Sequence, residues 1–336
     1  VGIYFDRIWI RDFGAHTLYA NEVDSMLLVD WMYDADYPVA DTASPAAVAR
    51  HYNLPLYSTT SNRYAFRLDG GNFLSDGLGT AFSSDRVLLE NGQLSFVQSV
   101  AEDFMGIDNY VVLPRLPYDV VHHVDMHMKL LDEETLLVGQ YPEGEGDYAQ
   151  IEANIDYILE NVETPFGKPY RIVRIPMPPD RYGGYPDDAN LCSKRGMGCY
   201  RTYTNALFVN KTVLVPTYET TYDTTALRIW QELMPGYKIV GINCDELIAE
   251  YGAIHCVTKE IGVADPLWIV HEKVQSACSD QQTTIEATIK HCSGVKSAAV
   301  FYRTATEAAY AKISMTEVEN HLWRAEIPIQ AEEIGR

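Results

Sequence analysis

Apolar and polar positions along the chain repeat one order: two short strands, an amphipathic helix, then a further strand. The order is clearest late on, where Tyr203 to Val209 and Val213 to Pro216 flank the turn Asn210-Lys211 as hairpin arms do. Asp223 then offers an N-cap, and Leu227, Trp230, Leu233 and Met234 share one helical face that Pro235-Gly236 stops. Tyr237 to Asn243 reads as the returning strand.

The same order appears upstream. Strands are predicted from His123 to Lys129 and Thr135 to Gly139 around the acidic turn Asp132-Glu133-Glu134. Helix Tyr148 to Asn161 follows with its stripe Ile151, Ile155, Ile158 and Leu159, and strand Tyr170 to Ile175 closes the unit. An earlier copy runs from Leu68 through a hairpin strand Arg86 to Glu90, a helix around Leu94 to Phe104 and strand Tyr110 to Leu113. The first copy has a hairpin of Trp9 to Tyr19 with Met26 to Tyr33, then helix Pro45 to Tyr52 with Ser44 as cap and proline at its first position. The last begins with Ile254 to Thr258 and Leu267 to His271 and has no helix after it.

Repetition at this spacing points to a radial or solenoid array whose units bury their faces against neighbours. About four and a half units are visible, so the expectation is that residues ahead of Val1 complete the array. From about Val274 the texture changes to short alternating strands, Thr283 to Lys290, Ala298 to Arg303 and His321 to Ile327, with no helix between them. That pattern predicts the start of an immunoglobulin-like sandwich, but only four strands at most of the usual seven or so, which implies truncation there too. The domains expected are residues 1–272 and 273–336.

Composition narrows the partners. The chain has 47 acidic and 26 basic residues in 336, a formal net charge of −21, which argues against nucleic acid because phosphate contacts need clustered Lys and Arg. Apolar content of 47% with 22% charged residues is that of a globular protein, and no apolar run approaches the roughly 18 residues that span a bilayer. A soluble protein is expected, with oligomeric state left open. Cys192 and Cys199 share a Gly-containing loop, and Cys278 and Cys292 flank a predicted strand. Paired loop cysteines suit an oxidising compartment, so two disulfides and export to the periplasm, cell surface or medium are expected.

Polar residues out of pattern fall at the unit starts: Asp12; Asp69-Gly70-Gly71-Asn72; His123-Val124-Asp125; Asn205; and His255-Cys256. Units set around an axis would bring these groups together. Residues two apart on a strand share a face, which would align His123 with Asp125. A thiol is a strong nucleophile once ionised, and an orienting acid for a histidine uses only one carboxylate. Two carboxylates suit a substrate that is itself a delocalised cation, such as a guanidinium with its fork of donors. Blander readings stand beside this one. Cys256 could instead be a buried thiol, Asp12 a partner of Arg11 or Arg7, and Gly70-Gly71 a turn needing positive φ. Cys244 reads as a core thiol. His122, His123, Asp125 and His127 could form a Zn or Mn site with Cys256 incidental, and the 23 tyrosines could serve a non-catalytic binding module.

Taken in order, Trp9-Ile10-Arg11-Asp12, Asp69-Gly70-Gly71-Asn72 with Asp76-Gly77, His123-Val124-Asp125, Tyr203-Thr204-Asn205 and Ala253-Ile254-His255-Cys256 resemble the motifs of the bacterial, Porphyromonas-type peptidylarginine deiminase and agmatine deiminase family. The resemblance covers about Ile8 to Val270, and the segment after it resembles the sandwich appended to secreted members. It implies an α/β fold, the five-bladed propeller of ββαβ units called a pentein, and a chemistry that uses no metal or other cofactor. It implies Cys256 as nucleophile on the guanidinium carbon and His123 as general acid and then base. Asp12 and Asp125 would hold the guanidinium nitrogens, with Asn205 beside the thiol and Trp9 as a wall along the substrate stem. Asp69 and Asn72 carry less weight. The products would be a ureido group, as in citrulline, and ammonia.

The chain departs from the family where peptidylarginine members carry an Arg pair that grips a carboxylate. Here the stretch is Tyr33-Asp34-Ala35-Asp36-Tyr37-Pro38, with no Arg between Arg11 and Arg50. Asp34 and Asp36 would disfavour a nearby carboxylate, so internal arginine, or agmatine with its amine, is expected over C-terminal arginine.

Overall fold

The computed structural model describes residues 6–21, 23–33, 40–187, 198–274, 283–303 and 309–328. Asp34, Asp36, Cys192 and Cys278 lie outside them. The chain divides into two compact units, one of Val1–Leu18 with Leu27–Ile261, the other of Tyr19–Met26 with Gly262–Arg336.

The first unit holds four three-stranded sheets in chain order. Short helix α1 (Ile10–Phe13) precedes β1 (His16–Ala20) and β2 (Ser25–Asp30), and α2 (Ser44–Tyr52) leads to β3 (Leu56–Ser58). The second sheet has β4 (Leu74–Ser75), β5 (Thr80–Ser84), helices α3 (Arg86–Asn91) and α4 (Leu94–Met105), and β6 (Asn109–Leu113). The third has β7 (Met128–Leu130), β8 (Thr135–Gln140), α5 (Tyr148–Asn161) and β9 (Arg171–Pro176). The fourth has β10 (Leu207–Val209), β11 (Thr212–Thr217), α6 (Thr220–Leu233) and β12 (Lys238–Asn243). In the last three sheets the hairpin pair is antiparallel and the strand after the helix returns parallel to the middle strand, and β2 with β3 is parallel as well. A parallel return needs a crossover, and the helix supplies it.

The helices form where the apolar stripe dictates. Ile151, Ile155 and Ile158 of α5 are buried, one turn apart, against Leu136, Leu137 and Val138 of β8 in one core cluster, which also contains Trp230 of α6. Val97, Val100 and Ala101 of α4 pack with Val29, Trp31, Phe66 and Ala81 in a second.

Three sequence expectations are corrected. Arg86 to Glu90 is helix rather than strand: the run Val87-Leu88-Leu89 has no period of its own, Gly92 ends the helix at positive φ, and Arg86 pairs with Glu90 one turn on at 2.8 Å. The stretch from Trp9 opens with the helical turn α1 instead of a strand. Ile254 to Thr258 is a turn, and β13 (Trp268–Val270) pairs with the second unit, so the fifth copy is not formed by those segments.

The second unit has one sheet in the order β13, β14 (Thr283–Lys290), β18 (Leu322–Ile327), β17 (Thr316–Glu319), and a two-stranded sheet of β15 (Ala299–Tyr302) and β16 (Ala311–Ser314). Ala287, Ile289, Met315, Trp323 and Ala325 form its core. β17 escaped detection because all four of its residues are exposed, leaving no alternation to read. Cys292 is an exposed free thiol 3.4 Å from Asp265 Oδ1, so the expected bridge at that position is absent. Cys244 is buried and free, and burial pushes its thiol up to about 11.

Candidate active site

The turns between these elements bring five separated stretches of sequence together. On α1, Gly14 N–H closes the turn on Ile10 O at 2.8 Å, and Asp12 Oδ1 accepts from Gly71 N–H at 3.0 Å. Gly71 belongs to a 3-10 turn (Gly70–Asn72) that begins after Asp69. Neither Gly70 nor Gly71 has positive φ, so the conformational reading of that pair is corrected. Both positions lack room instead. A Cβ on Gly70 would lie 2.1 Å from the Arg11 carbonyl oxygen. On Gly71 it would lie 2.6 Å from His123 Nδ1, 3.1 Å from Asp12 Oδ1 and 3.2 Å from Asp125 Oδ2.

His123 and Asp125 do not sit on a strand. His123 precedes a 3-10 turn (Val124–Met126) and Asp125 lies within it, so the shared strand face does not exist, yet both side chains reach Gly71. His123 Nε2 lies 3.1 Å from Asp69 Oδ2, its Nδ1 lies 3.8 Å from Asp12 Oδ1, and Asp119 Oδ2 accepts from its backbone N–H at 2.9 Å. Asp69 is thus a direct partner of the imidazole.

Cys256 sits on the turn that Asn205 secures. Asn205 Oδ1 accepts from the N–H groups of His255 at 3.0 Å and Cys256 at 3.4 Å, while its Nδ2 lies 3.3 Å from Cys256 Sγ. The sulfur is 3.9 Å from Asp125 Oδ2. Gly252 makes space here, since a Cβ on it would meet Trp9 at 2.7 Å and Cys256 Cβ at 2.8 Å.

Trp9, Asp12, Asp69, His123 and Cys256 line a cavity of about 480 Å³. Asp125 and Asn205 are fully buried and stand beside Cys256 without lining it. Asn72 turns away: its Oδ1 accepts from Ser84 N–H at 2.8 Å, so the substrate contact expected of it is replaced by a scaffold role. Sequence reasoning missed other wall residues, Arg7, Arg67, Arg86, Glu250 and Tyr251, because nothing local marks loop residues that meet only in the fold. Tyr33 also lines the cavity. Three wall arginines come from outside the stretch on which a carboxylate was expected to be disfavoured. Arg86 is held at 2.9 Å by Asp69.

Burial and charge set the proton states. Burial pushes Asp12 up to about 7 despite the opposing charge of His123, and Asp69 adds to the rise. Burial alone would lower His123, but Asp12, the hydrogen bond to Asp69 and the charges of Asp69 and Asp125 outweigh it and raise the imidazole to about 9. Asp69 is held below its ordinary range: burial opposes this, and the hydrogen bond with His123 and the charges of His123 and Arg86 prevail. The Cys256 thiol is pushed well above its ordinary value by burial, then by Asp125 and Asp12. Burial and charge thus favour an imidazolium at His123 and a neutral thiol at Cys256, with Asp12 and Asp125 costly to ionise and Asp69 readily ionised.

His122, His123, Asp125 and His127 do not assemble a metal site. His122 Nδ1 faces Leu116 O at 3.1 Å, and both ring nitrogens of buried His127 lack hydrogen-bond partners among the described residues. No group of three or more His, Cys, Asp or Glu side chains with metal-binding geometry occurs among the described residues. No helix among them is long and apolar enough to cross a membrane.

The profile of the Porphyromonas-type peptidyl-arginine deiminase family matches residues 1–261. The chain belongs to this family. The deiminase is 26% identical over 283 residues to the Vibrio parahaemolyticus protein named "Putative agmatine deiminase", covering 78% of this chain and 77% of that one. A Yersinia pseudotuberculosis protein of the same name is 25% identical over 287 residues, at 77% and 75% coverage. Among solved structures, the "Putative Arginine Deiminase from Porphyromonas gingivalis" superposes with a TM-score of 0.65 at 25% identity over 76% of each chain. An agmatine deiminase of Enterococcus faecalis shares the fold at a TM-score of 0.62, with 21% identity over 75% of this chain and 73% of that one. The deiminase is an α/β protein of the guanidine-modifying, pentein class, a hydrolase of C–N bonds in linear amidines.

Proposed function

We propose that the protein hydrolyses the guanidino group of arginine, peptidyl-arginine ahead of agmatine, through a covalent intermediate on Cys256. The observation that carries this reading is the meeting of His123, Asp12 and Asp125 around Gly71, with Cys256 Sγ 3.9 Å from Asp125 Oδ2. Asp12 and Asp125 take the guanidinium nitrogens, and Trp9 flanks the stem. Burial, then the charges of Asp125 and Asp12, keep the Cys256 thiol protonated, and the incoming cation offsets the two charges, so substrate itself favours the thiolate.

The thiolate attacks the guanidinium carbon, the imidazolium of His123 gives its proton to the departing nitrogen, and ammonia leaves an amidino-thioether. Neutral His123 then takes a proton from water. The hydroxide adds to the same carbon, the C–S bond breaks, and a ureido product leaves with Cys256 restored. Ammonia release by the wild type and none by Cys256→Ala tests the reading, and turnover by Cys256→Ala would refute it.

Arg7 and Arg67 in the cavity wall favour arginine-type substrates, since like charge opposes the ammonium of agmatine. The second reading, agmatine, has the names of the curated relatives and the wall residue Glu250 in its favour. Four ββαβ units and the solved relatives support a five-bladed propeller, and the strand-only texture of the second unit supports an immunoglobulin-like sandwich that begins nearer Gly262 than the expected residue 273. An exported location is supported by a disulfide at Cys199, for which Cys192 is the candidate partner, and is opposed by the free Cys292.

A further inference from the structure

Asp125 is completely buried, and its carboxylate has one short contact: His255 Nδ1 lies 2.6 Å from Oδ2, the oxygen 3.9 Å from Cys256 Sγ. The other oxygen, Oδ1, has no hydrogen-bond partner among the described residues. A buried carboxylate half satisfied in this way is unfavourable unless a donor completes it. The guanidinium of a substrate brings such donors. His255 is itself fixed through its main chain, by Asn205 on its N–H and by Arg11 Nε on its carbonyl at 3.1 Å. Arg11 also donates from its backbone to Cys256 O at 3.2 Å and ends in a two-pronged pair with Glu260, with Nη1 to Oε1 at 3.0 Å. The turn of Asp12 is thereby tied to the turn of Cys256.

We propose that His255 is a positioning residue of the deiminase: its Nδ1–H pins Oδ2 of Asp125 and leaves the rest of that carboxylate to receive the substrate's N–H groups.

The surroundings select the form of His255 that can do this. Burial, with Arg11, Lys129, Lys259 and His123 nearby, holds the imidazole well below its ordinary value, hence neutral. A neutral ring donating to a carboxylate orients it without cancelling its charge, so the full negative charge stays available to the guanidinium. A protonated ring would form an ion pair and compete with substrate. Asp125 is faced in turn by His123, Lys129, Arg11, Asn205 and Cys256, and burial raises it despite these cations. Loss of the His255 donor removes stabilisation of its ionised form and raises it further.

The inference rests on the deiminase reading of the site, and three variants separate the two. Asparagine places an amide nitrogen where Nδ1 stands, whereas glutamine keeps polarity but moves the donor outward and alanine removes it. The expected result is that His255→Asn keeps kcat/KM within about threefold of wild type. His255→Gln and His255→Ala should lose about 10- to 100-fold, the range for a hydrogen bond to a charged group. In His255→Ala the acid limb of the kcat/KM profile should also move up by about one pH unit, a change that mere loosening of the turn would not produce. Equal losses for Asn and Gln, an unmoved acid limb, or failure of His255→Asn to fold each overturn the inference. Absence of ammonia release by the wild-type protein from every guanidino compound would instead sink the deiminase reading itself.

Discussion

Gly71→Ala tests the convergence of the site with a single methyl group. The added Cβ would stand 2.6 Å from His123 Nδ1, 3.1 Å from Asp12 Oδ1 and 3.2 Å from Asp125 Oδ2. Ordinary carbon contacts begin at about 3.5 Å, so the imidazole must retreat by nearly 1 Å and the two carboxylates by smaller amounts. All three are buried with packed surroundings, and none is the free end of a flexible chain. Misplacement of reacting groups by about 1 Å costs on the order of 100-fold, and three displaced groups make that a lower bound for kcat/KM. The fold should tolerate the change better than the chemistry does, since no backbone atom lies among these close contacts and φ is not in the left-handed region. Gly70→Ala is the contrasting control: its Cβ would meet the Arg11 carbonyl oxygen at 2.1 Å, so it should lower the thermal midpoint markedly. Ammonia release at saturating and subsaturating substrate, with thermal melts of both variants, decides the matter. A Gly71→Ala protein that turns over at the wild-type rate would mean that His123, Asp12 and Asp125 do not work together at that point.

Other outcomes follow from the same geometry. Cys256→Ala and His123→Ala should each abolish ammonia release with melts close to wild type, while Cys244→Ala should leave turnover intact; loss of activity in Cys244→Ala would point to the wrong thiol. Asp12 and Asp125 must both be ionised to hold the guanidinium, and His123 must be protonated to expel ammonia. Activity should therefore fall as pH drops through about 7 and again as it rises through about 9, and a kcat/KM profile flat across pH 6 to 10 would contradict this. Asp69→Asn removes a carboxylate 3.1 Å from His123 Nε2, so the basic limb should move down by about one unit. In a panel of agmatine, free arginine, internal arginine and C-terminal arginine, the arginine substrates should match or exceed agmatine in kcat/KM. A strong preference for agmatine would favour Glu250 over Arg7 and Arg67 as the reader of the distal group.

Helices were legible wherever burial follows a 3.6-residue stripe. The span Tyr148–Asn161 matches expectation at both ends because Ile151, Ile155 and Ile158 all face the core. The reading failed on short segments held by capping and turn contacts instead of periodicity, as at Arg86–Asn91, His123–Asp125 and Ile254–Thr258. Site residues stood out for a different reason. Asp12, His123, Asp125, Asn205 and His255 are buried polar groups, and a polar residue at an otherwise apolar unit start is visible without any contact map. His255 was visible in the same way, but its role depends on a partner 130 positions away and could not be read locally. The arginines of the cavity wall, half-buried in the fold, gave no such signal, because Arg in a sequence is ordinary on any surface.

The charge arrangement explains why so many unfavourable groups are tolerated together. Asp12 and Asp125 are raised by burial, Asp125 has an oxygen with no hydrogen-bond partner among the described residues, and the Cys256 thiol is pushed up by burial and then by the charges of the same two acids. Each departure from ordinary behaviour is relieved by one event, the arrival of a planar cation with several N–H donors. A neutral urea of the same shape would supply donors but not charge, and it would leave the acids and the thiol as they were. The ureido product is such a group. Selectivity against product is therefore built into the electrostatics: conversion of the guanidinium removes the positive charge that the two acids and the thiolate balance, and binding weakens once the reaction is complete. Citrulline-type ureas should accordingly inhibit poorly, at concentrations far above the KM of the matching guanidine, and tight inhibition by the product would show that shape, not charge, governs this pocket.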